Sequence, residues 1–401
     1  MRVAFSSQPI YSHLVPALLP LAKLTAEAGH EVGVLTSPAL ADEVRAFGLT
    51  PLVLPNAMGP RDFFGRPEVL ERLGIDPSVM DGLGSRTVRP EPDYFARVFA
   101  GPVAGDTAEE SIEVLRSFEA DLLVREVADY PGYYAAEHLD IPHTMLDTGP
   151  LAPHDHPDVL AVINQQRERL NLPDVSDPLH PGRRGRIAVV PESFYPEHLR
   201  TESTVHYRAP RAREQRLDPA IADLPGDRPL VLATLGSNAA ALHDDGPRTL
   251  LDTIVEVLGD LRVTGVVALG SGIDPGQWRG ARPDNVYLTS FVQQQLLLPA
   301  CDAFITHGGF SGVREALSSG VPMVVLPMLA EQPANAERVE RLGAGKRLDL
   351  EDVSHDSLRT TVGTVLADSA HRHRARAIER EFLALPPFTD VVAGLEELGG
   401  K

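Results

Sequence analysis

Residues 303–312 read Ala-Phe-Ile-Thr-His-Gly-Gly-Phe-Ser-Gly. Ala303–Thr306 forms a strand, and Val313, Ala316 and Leu317 line one face of a helix that starts near Ser311. His307, Gly308 and Gly309 therefore occupy a strand-to-helix turn. Glycines there let the backbone pass close to a ligand, and the helix N-terminus offers free N–H groups and the positive end of its dipole to an anion. His307, at the strand end, can donate a hydrogen bond to a phosphate oxygen. A tight turn needs glycine even without a ligand, so the flanking residues decide the reading.

Those flanks suit a nucleotide. Glu315 lies one helical turn beyond Ser311, placed to accept from ribose hydroxyls. Strand Met323–Leu326 leads to Glu331-Gln332, a carboxylate beside an amide, which suits neighbouring hydroxyls of a polyol. Strand Leu230–Thr234 ends in Leu235-Gly236-Ser237, a second glycine turn with a hydroxyl for the same phosphates. Phe291 and Val292, within Ser290–Gln294, offer an apolar wall to a planar base.

Working outward, strands and helices alternate through both halves of the chain. Val3–Ser6, Glu31–Thr36, Thr50–Leu54, Asp121–Arg125 and His143–Leu146 read as strands between amphipathic helices, and the rhythm restarts at Leu230. Such alternation predicts parallel sheets covered on both faces. The chain divides into a Rossmann-like domain over 1–208, a polar linker over 209–228, a second Rossmann-like domain over 229–383 and a tail helix over 384–401 that packs back on the first domain. The expected fold class is α/β, two doubly wound parallel sheets facing across a cleft. Residues 55–105 and 149–186 break the rhythm with Pro, Gly and His and read as irregular insertions.

Composition narrows the partners. With 401 residues, 43% apolar and 23% charged, the chain has the balance of a two-domain globular protein. A net charge of −19, with no compensating basic run, argues against nucleic acid or an anionic membrane as the main partner. No apolar segment reaches the ~18 residues of a membrane span. One cysteine, Cys301, leaves no disulfide framework, and Met-Arg followed by Val3, Ala4 and Phe5 reads as an opening strand rather than a leader. A cytoplasmic monomer or homodimer is expected.

The first strand runs into Ser6-Ser7-Gln8-Pro9-Ile10-Tyr11-Ser12-His13, with no glycine before the helix, so this half carries no dinucleotide-phosphate loop. It offers instead His13 at a helix start, where the dipole favours a neutral imidazole able to accept a proton. His13 is equally readable as a helix cap. Glu126, next to Arg125, is readable as that arginine's partner or as a cap. The cluster His154-Asp155-His156-Pro157-Asp158 holds metal-capable groups in a Pro-rich loop that reads as solvated surface.

The second half resembles the nucleotide-binding domain of GT-B glycosyltransferases, of the family that glycosylates small natural products in actinobacteria. Ser290–Leu298, Cys301–Leu317 with Thr-His-Gly-Gly-Phe, Gly320–Pro327 and Glu331–Gly345 carry the resemblance, which extends more weakly over nearly the whole chain. It implies that His307 and Ser237, with Gly308, Gly309, Ser311 and Gly312, hold the donor diphosphate. It places Glu315 on the ribose beside Phe291 and Val292, and Glu331 with Gln332 on the sugar. It also implies that His13 is the general base, with Glu126, or Asp129 if the loop shifts, as its carboxylate partner. The acceptor would sit among the insertions, where Phe63, Phe64, Tyr94 and Phe95 are candidates for stacking.

Two positions depart from the family pattern. Glu331 stands where an aspartate is usual, and Gly312 where a serine or threonine usually supplies a phosphate hydroxyl. The expected reaction is an inverting transfer from a TDP- or UDP-sugar to a hydroxyl of a small natural product. No Asp-x-Asp pair is placed to bridge a metal, so no metal and no cofactor beyond the nucleotide sugar are expected. The alternatives are a nucleotide-sugar epimerase of the same fold and a non-catalytic activator. The epimerase would need further acidic groups facing the sugar and no acceptor pocket, so the two insertions favour transfer, and the activator would have no need of His13 and Glu126.

Overall fold

The computed structural model describes residues 1–59, 62, 63, 66–76, 92–152, 154–209, 216–236, 246–270 and 273–400. These form two compact units. The first takes the described residues of 1–81, 90–209 and 386–401, and the second those of 210–385.

The first unit is built on a sheet of seven parallel strands: β1 (Arg2–Ser6), β2 (Glu31–Thr36), β3 (Thr50–Val53), β4 (Leu122–Glu126), β5 (His143–Asp147), β6 (Arg186–Ala188) and β7 (Thr204–His206). They are ordered β3-β2-β1-β4-β5-β6-β7, so the strand order reverses between β1 and β4. In doubly wound sheets the carboxyl ends at that switch point form a crevice. Ser6 pairs with Leu35 and Arg125, which brings the end of β1 level with the ends of β2 and β4. The central strands are buried on both faces, as helices on either side require.

The segment after β1 is helical but uneven. A short α turn, Tyr11–His13, passes into a π turn, Leu14–Leu18, before the regular helix Leu19–Glu27. Pro16 has no amide to donate, which favours the wider turn at this point.

The two insertions differ from their reading as irregular chain. The first holds helices Pro67–Arg72, Pro92–Ala100 and Pro102–Phe118, and the second Pro157–Arg169 and His180–Arg183. Proline stands in the first turn of each. In the first turn a missing amide costs nothing, so residues that look like breakers serve as starts. Helix Tyr130–Leu139 packs on Pro102–Phe118 and buries three tyrosines, each with its hydroxyl engaged. Tyr134 donates to the Ala100 carbonyl, and Tyr130 and Tyr133 meet His154 and His180. The last helix, Val391–Leu398, also belongs to this unit, where Glu396 Oε1 lies 3.1 Å from His30 Nε2.

The second unit holds six parallel strands, β8 (Leu230–Thr234), β9 (Thr264–Ala268), β10 (Val286–Thr289), β11 (Ala303–Thr306), β12 (Met323–Val325) and β13 (Gly345–Arg347). Their order is β10-β9-β8-β11-β12-β13, the same winding with the reversal between β8 and β11. Val231, Ala233, Ile305 and Val324 join Ile254 and Leu258 of helix Gly246–Asp260 and Leu358 and Val362 of helix His355–Ala367 in one core. Both units thus have the doubly wound α/β architecture expected from the alternation. No helix of the described residues is long and apolar enough to cross a membrane.

Candidate active site

In the first unit, β4 delivers Glu126 at its carboxyl end, fully buried, while the α turn after β1 presents His13 with 30% of its side chain exposed. His13 Nδ1 lies 3.1 Å from Glu126 Oε1, and the Thr148 hydroxyl donates to the same oxygen at 2.7 Å. Burial alone would push the Glu126 carboxyl up. The charge and hydrogen bond of His13, together with the Thr148 hydroxyl and the Ala128 amide, outweigh that and hold it below the ordinary value. The carboxylate is therefore ionised at neutral pH.

The neighbouring groups take other tasks. Successive strand residues point to opposite faces, so Arg125 turns away from the Glu126 carboxylate. Its guanidinium donates to the Pro181 carbonyl and lies 5.5 Å from the centre of the Tyr133 ring. Asp129 caps helix Tyr130–Leu139 by accepting from the Gly132 amide at 3.3 Å. That leaves Glu126 as the carboxylate beside the imidazole. Thr148, the residue immediately after β5, carries no local pattern that marks it in the sequence.

Close by, residues at the ends of β1 to β4 line a small pocket that opens to solvent. Phe63 lines it while packing among Val69, Leu70 and Val98. Tyr94 packs on that cluster, and burial raises its hydroxyl pKa. Phe95 instead meets His154 edge-on, ring centres 4.9 Å apart. His154 points inward, its imidazole pushed down to about 3 by burial. His156 caps helix Pro157–Arg169 and Asp155 pairs with His198, so the histidine cluster diverges. Phe64 lies outside the described residues.

In the second unit, β11 ends at Thr306 and the turn His307-Gly308-Gly309 leads into helix Phe310–Ser318. The imidazole of His307 sits between two glycines. A Cβ on Gly236 would fall 2.6 Å from its Cε1, and one on Gly309 would fall 2.5 Å from its Nε2. Gly236 and Gly308 also adopt φ of 81° and 86°, a region costly to other residues. Removal from water lowers the imidazole pKa to about 4, against the opposing pull of the Thr234 carbonyl. At neutral pH His307 is thus an uncharged ring that can donate one N–H.

The helix begins at Gly309 without a side-chain cap, so the amides of its first turn remain available to an anion. Ser311 is exposed there and Gly312 buried. A Cβ on Gly312 would meet Thr306 Oγ1 at 3.5 Å, an ordinary contact, so packing does not dictate glycine at this position. Asn335, fully buried, fixes the turn by donating from Nδ2 to the Gly308 carbonyl at 2.9 Å. Thr306 Oγ1 accepts from the Gly308 amide at 3.3 Å.

The remaining predicted contacts surround this turn. Glu315 accepts from Gln294 Nε2 at 2.6 Å and Gln295 Nε2 at 2.9 Å, so both its oxygens are held by amides. Phe291 stands 65% exposed, while Val292 is buried. Gln332 uses its carbonyl oxygen to accept from the Met328 and Leu329 amides at 2.9 and 3.1 Å, shaping the loop after β12. Within that loop Ala330 takes φ 54°, a left-handed conformation unusual for alanine, immediately before Glu331 at the helix start. Ser237 lies outside the described residues. The roles of Asn335 and Gln295 were not readable in the sequence, because each acts on a residue about 20 or more positions away.

Residues 248–398 match the family model described as erythromycin biosynthesis protein CIII-like, C-terminal domain. The chain is 28% identical over 432 residues to 3-alpha-mycarosylerythronolide B desosaminyl transferase of Saccharopolyspora erythraea, covering 99% of this chain and 98% of that protein. It is 29% identical over 421 residues to tylactone mycaminosyltransferase of Streptomyces fradiae, covering 95% and 89%. Among solved structures, spinosyn rhamnosyltransferase SpnG superposes with a TM-score of 0.76 at 20% identity, covering 99% of this chain and 100% of that one. Glycosyltransferase VinC in complex with dTDP superposes with a TM-score of 0.70 at 25% identity, covering 100% and 99%.

Proposed function

We propose, from the premise that the chain is a GT-B glycosyltransferase of the natural-product type, that it moves a sugar from a TDP- or UDP-sugar to a hydroxyl of a small apolar acceptor with inversion. The observation that carries this reading is His13 Nδ1 at 3.1 Å from the fully buried Glu126 carboxylate. A carboxylate on Nδ1 fixes the tautomer whose Nε2 lone pair is free to take a proton. The acceptor hydroxyl gives its proton to Nε2 as its oxygen forms the new bond to the anomeric carbon. The bond from that carbon to the β-phosphate oxygen breaks, and the nucleoside diphosphate leaves with the electron pair. Glu126 stabilises the imidazolium that results.

On the donor side, His307 and the open amides at Phe310–Gly312 would stabilise the charge growing on the diphosphate. A neutral donor and helix-end amides supply that stabilisation from the chain itself, so the transfer is proposed to run without a metal. Phe291 would stack on the base, Glu315 would bond the ribose, and Glu331 and Gln332 the sugar. The dTDP bound to VinC supports a thymidine or uridine donor. A donor screen reading nucleotide release, run on wild type and His13→Ala, tests the proposal. Release should require acceptor and fall about 10²–10⁴-fold in the variant. Acceptor-independent turnover to an isomeric sugar nucleotide would refute it.

A further inference from the structure

Thr148, half-buried just beyond β5, donates from Oγ1 to Glu126 Oε1 at 2.7 Å, and His13 Nδ1 lies 3.1 Å from that same oxygen. A carboxylate oxygen has two lone pairs and can accept both bonds at once. The hydroxyl, at 2.7 Å, is within the range of a charge-assisted bond, whereas the imidazole stands farther off than such bonds usually run. The hydroxyl is itself held in place. Asp147, one residue earlier and 1% exposed, accepts from the Tyr195 hydroxyl at 2.8 Å and from the Gly149 amide at 3.3 Å, which pins the chain on both sides of Thr148. The other ionisable groups about Glu126 are Arg125 and Asp129 near it in the chain, Tyr130 of the next helix, Asp147 and His154. Each is bonded elsewhere: Arg125 to the Pro181 carbonyl, Asp129 to the Gly132 amide, Tyr130 to His154 and Asp147 to Tyr195.

We propose that Thr148 is a positioning residue of the transfer: it keeps Glu126 Oε1 on the imidazole and takes up part of that oxygen's charge, so that the carboxylate orients His13 without holding it as a cation. The proposal rests on the reading of His13 as the base and adds what sets its strength. The carboxylate acts on the ring through the charge left on Oε1, and a further donor to that oxygen lessens the pull. Without the hydroxyl the whole interaction falls on His13, and the ring takes up a proton from water before an acceptor hydroxyl can supply one. An imidazole already protonated cannot accept a second proton. With the hydroxyl in place the ring stays oriented while its Nε2 lone pair remains open.

The first test needs no substrate. The protonation midpoint of His13 is read from the imidazole Cε1–H resonances of the full chain across pH, with His13 identified by its loss in His13→Ala. Thr148→Val, close in shape but without the donor, should raise that midpoint by about half to one pH unit, while Thr148→Ser, which keeps the hydroxyl, should leave it near wild type. In a Glu126→Gln background the valine change should have no effect, since the hydroxyl acts through the carboxylate. Thr148→Ala gives the same comparison if the valine variant does not fold. With substrates found by the donor screen, the acid limb of kcat/KM should move to higher pH by the same amount in Thr148→Val. A merely structural role would lower the rate at every pH and leave the limb in place. A midpoint that stays or falls in Thr148→Val, an equal shift in Thr148→Ser, or a shift that persists in the Glu126→Gln background would overturn the proposal. A midpoint that shifts as expected while His13→Ala retains acceptor-dependent release would instead refute the reading of His13 as the base.

Discussion

Replacing Asp129 by Asn should make the protein more stable at neutral pH, although it removes a charge from a hydrogen-bonded position. Burial is the main force on this carboxyl and pushes it from 3.8 up to about 6, against the Ser6 hydroxyl, the Arg125 charge and the Gly132 amide. Because the folded-state pKa lies above the unfolded one, the folded protein holds this proton more tightly. The associated stability is present at low pH and is lost as pH rises through about 6. The asparagine variant has no such loss. Linkage with these two values gives a gain of about 1 kcal/mol at about pH 4.5, rising to about 3 kcal/mol at about pH 7.5. Asparagine caps a helix as well as aspartate, so the bond from the Gly132 amide is kept and little is subtracted. Urea unfolding followed by tyrosine fluorescence at the two pH values reads the difference directly. Equal stability at both pH values, or a variant less stable at pH 7.5, would show that the carboxyl is not held in an unfavourable site.

The remaining predictions concern the other groups of the two sites. Glu126→Gln should lower turnover about 10²–10⁴-fold in steady-state assays while leaving nucleotide affinity unchanged, since it acts only through His13. Gly309→Ala puts a methyl 2.5 Å from His307 Nε2 and should weaken nucleoside diphosphate binding about tenfold by calorimetry. Asn335→Ala leaves the Gly308 carbonyl unpaired and should cost roughly 1–3 kcal/mol in denaturant unfolding, with weaker nucleotide binding beside it. His307, pushed down to about 4, stays neutral above pH 5. Affinity for a nucleoside-diphosphate sugar, whose phosphates do not titrate in this range, should therefore show no step near pH 6.5, and tighter binding on acidification through that value would show a cationic ring instead.

What the sequence determined by itself was local. A four-residue strand, a glycine turn and a helical apolar face are contiguous at 303–317, so the doubly wound fold and the strand-to-helix turn could be read from neighbours alone. The insertions escaped that reading because proline marks a break or a helix start with the same residue, and packing, of Pro102–Phe118 on Tyr130–Leu139 and of Pro92–Ala100 on Pro157–Arg169, selects the helix. Tertiary structure alone decided which carboxylate meets His13. Glu126 and Asp129 are equivalent as side chains, but the pairing of β1 with β4 sets one beside the imidazole and turns the other toward a helix cap and an apolar pocket. It also decided that Thr148 and Asn335 matter, since each reaches a site residue more than 20 positions away through a hydrogen bond that no local pattern encodes. Local propensity fixes the elements, but the environment of a charged group depends on which strands lie next to each other.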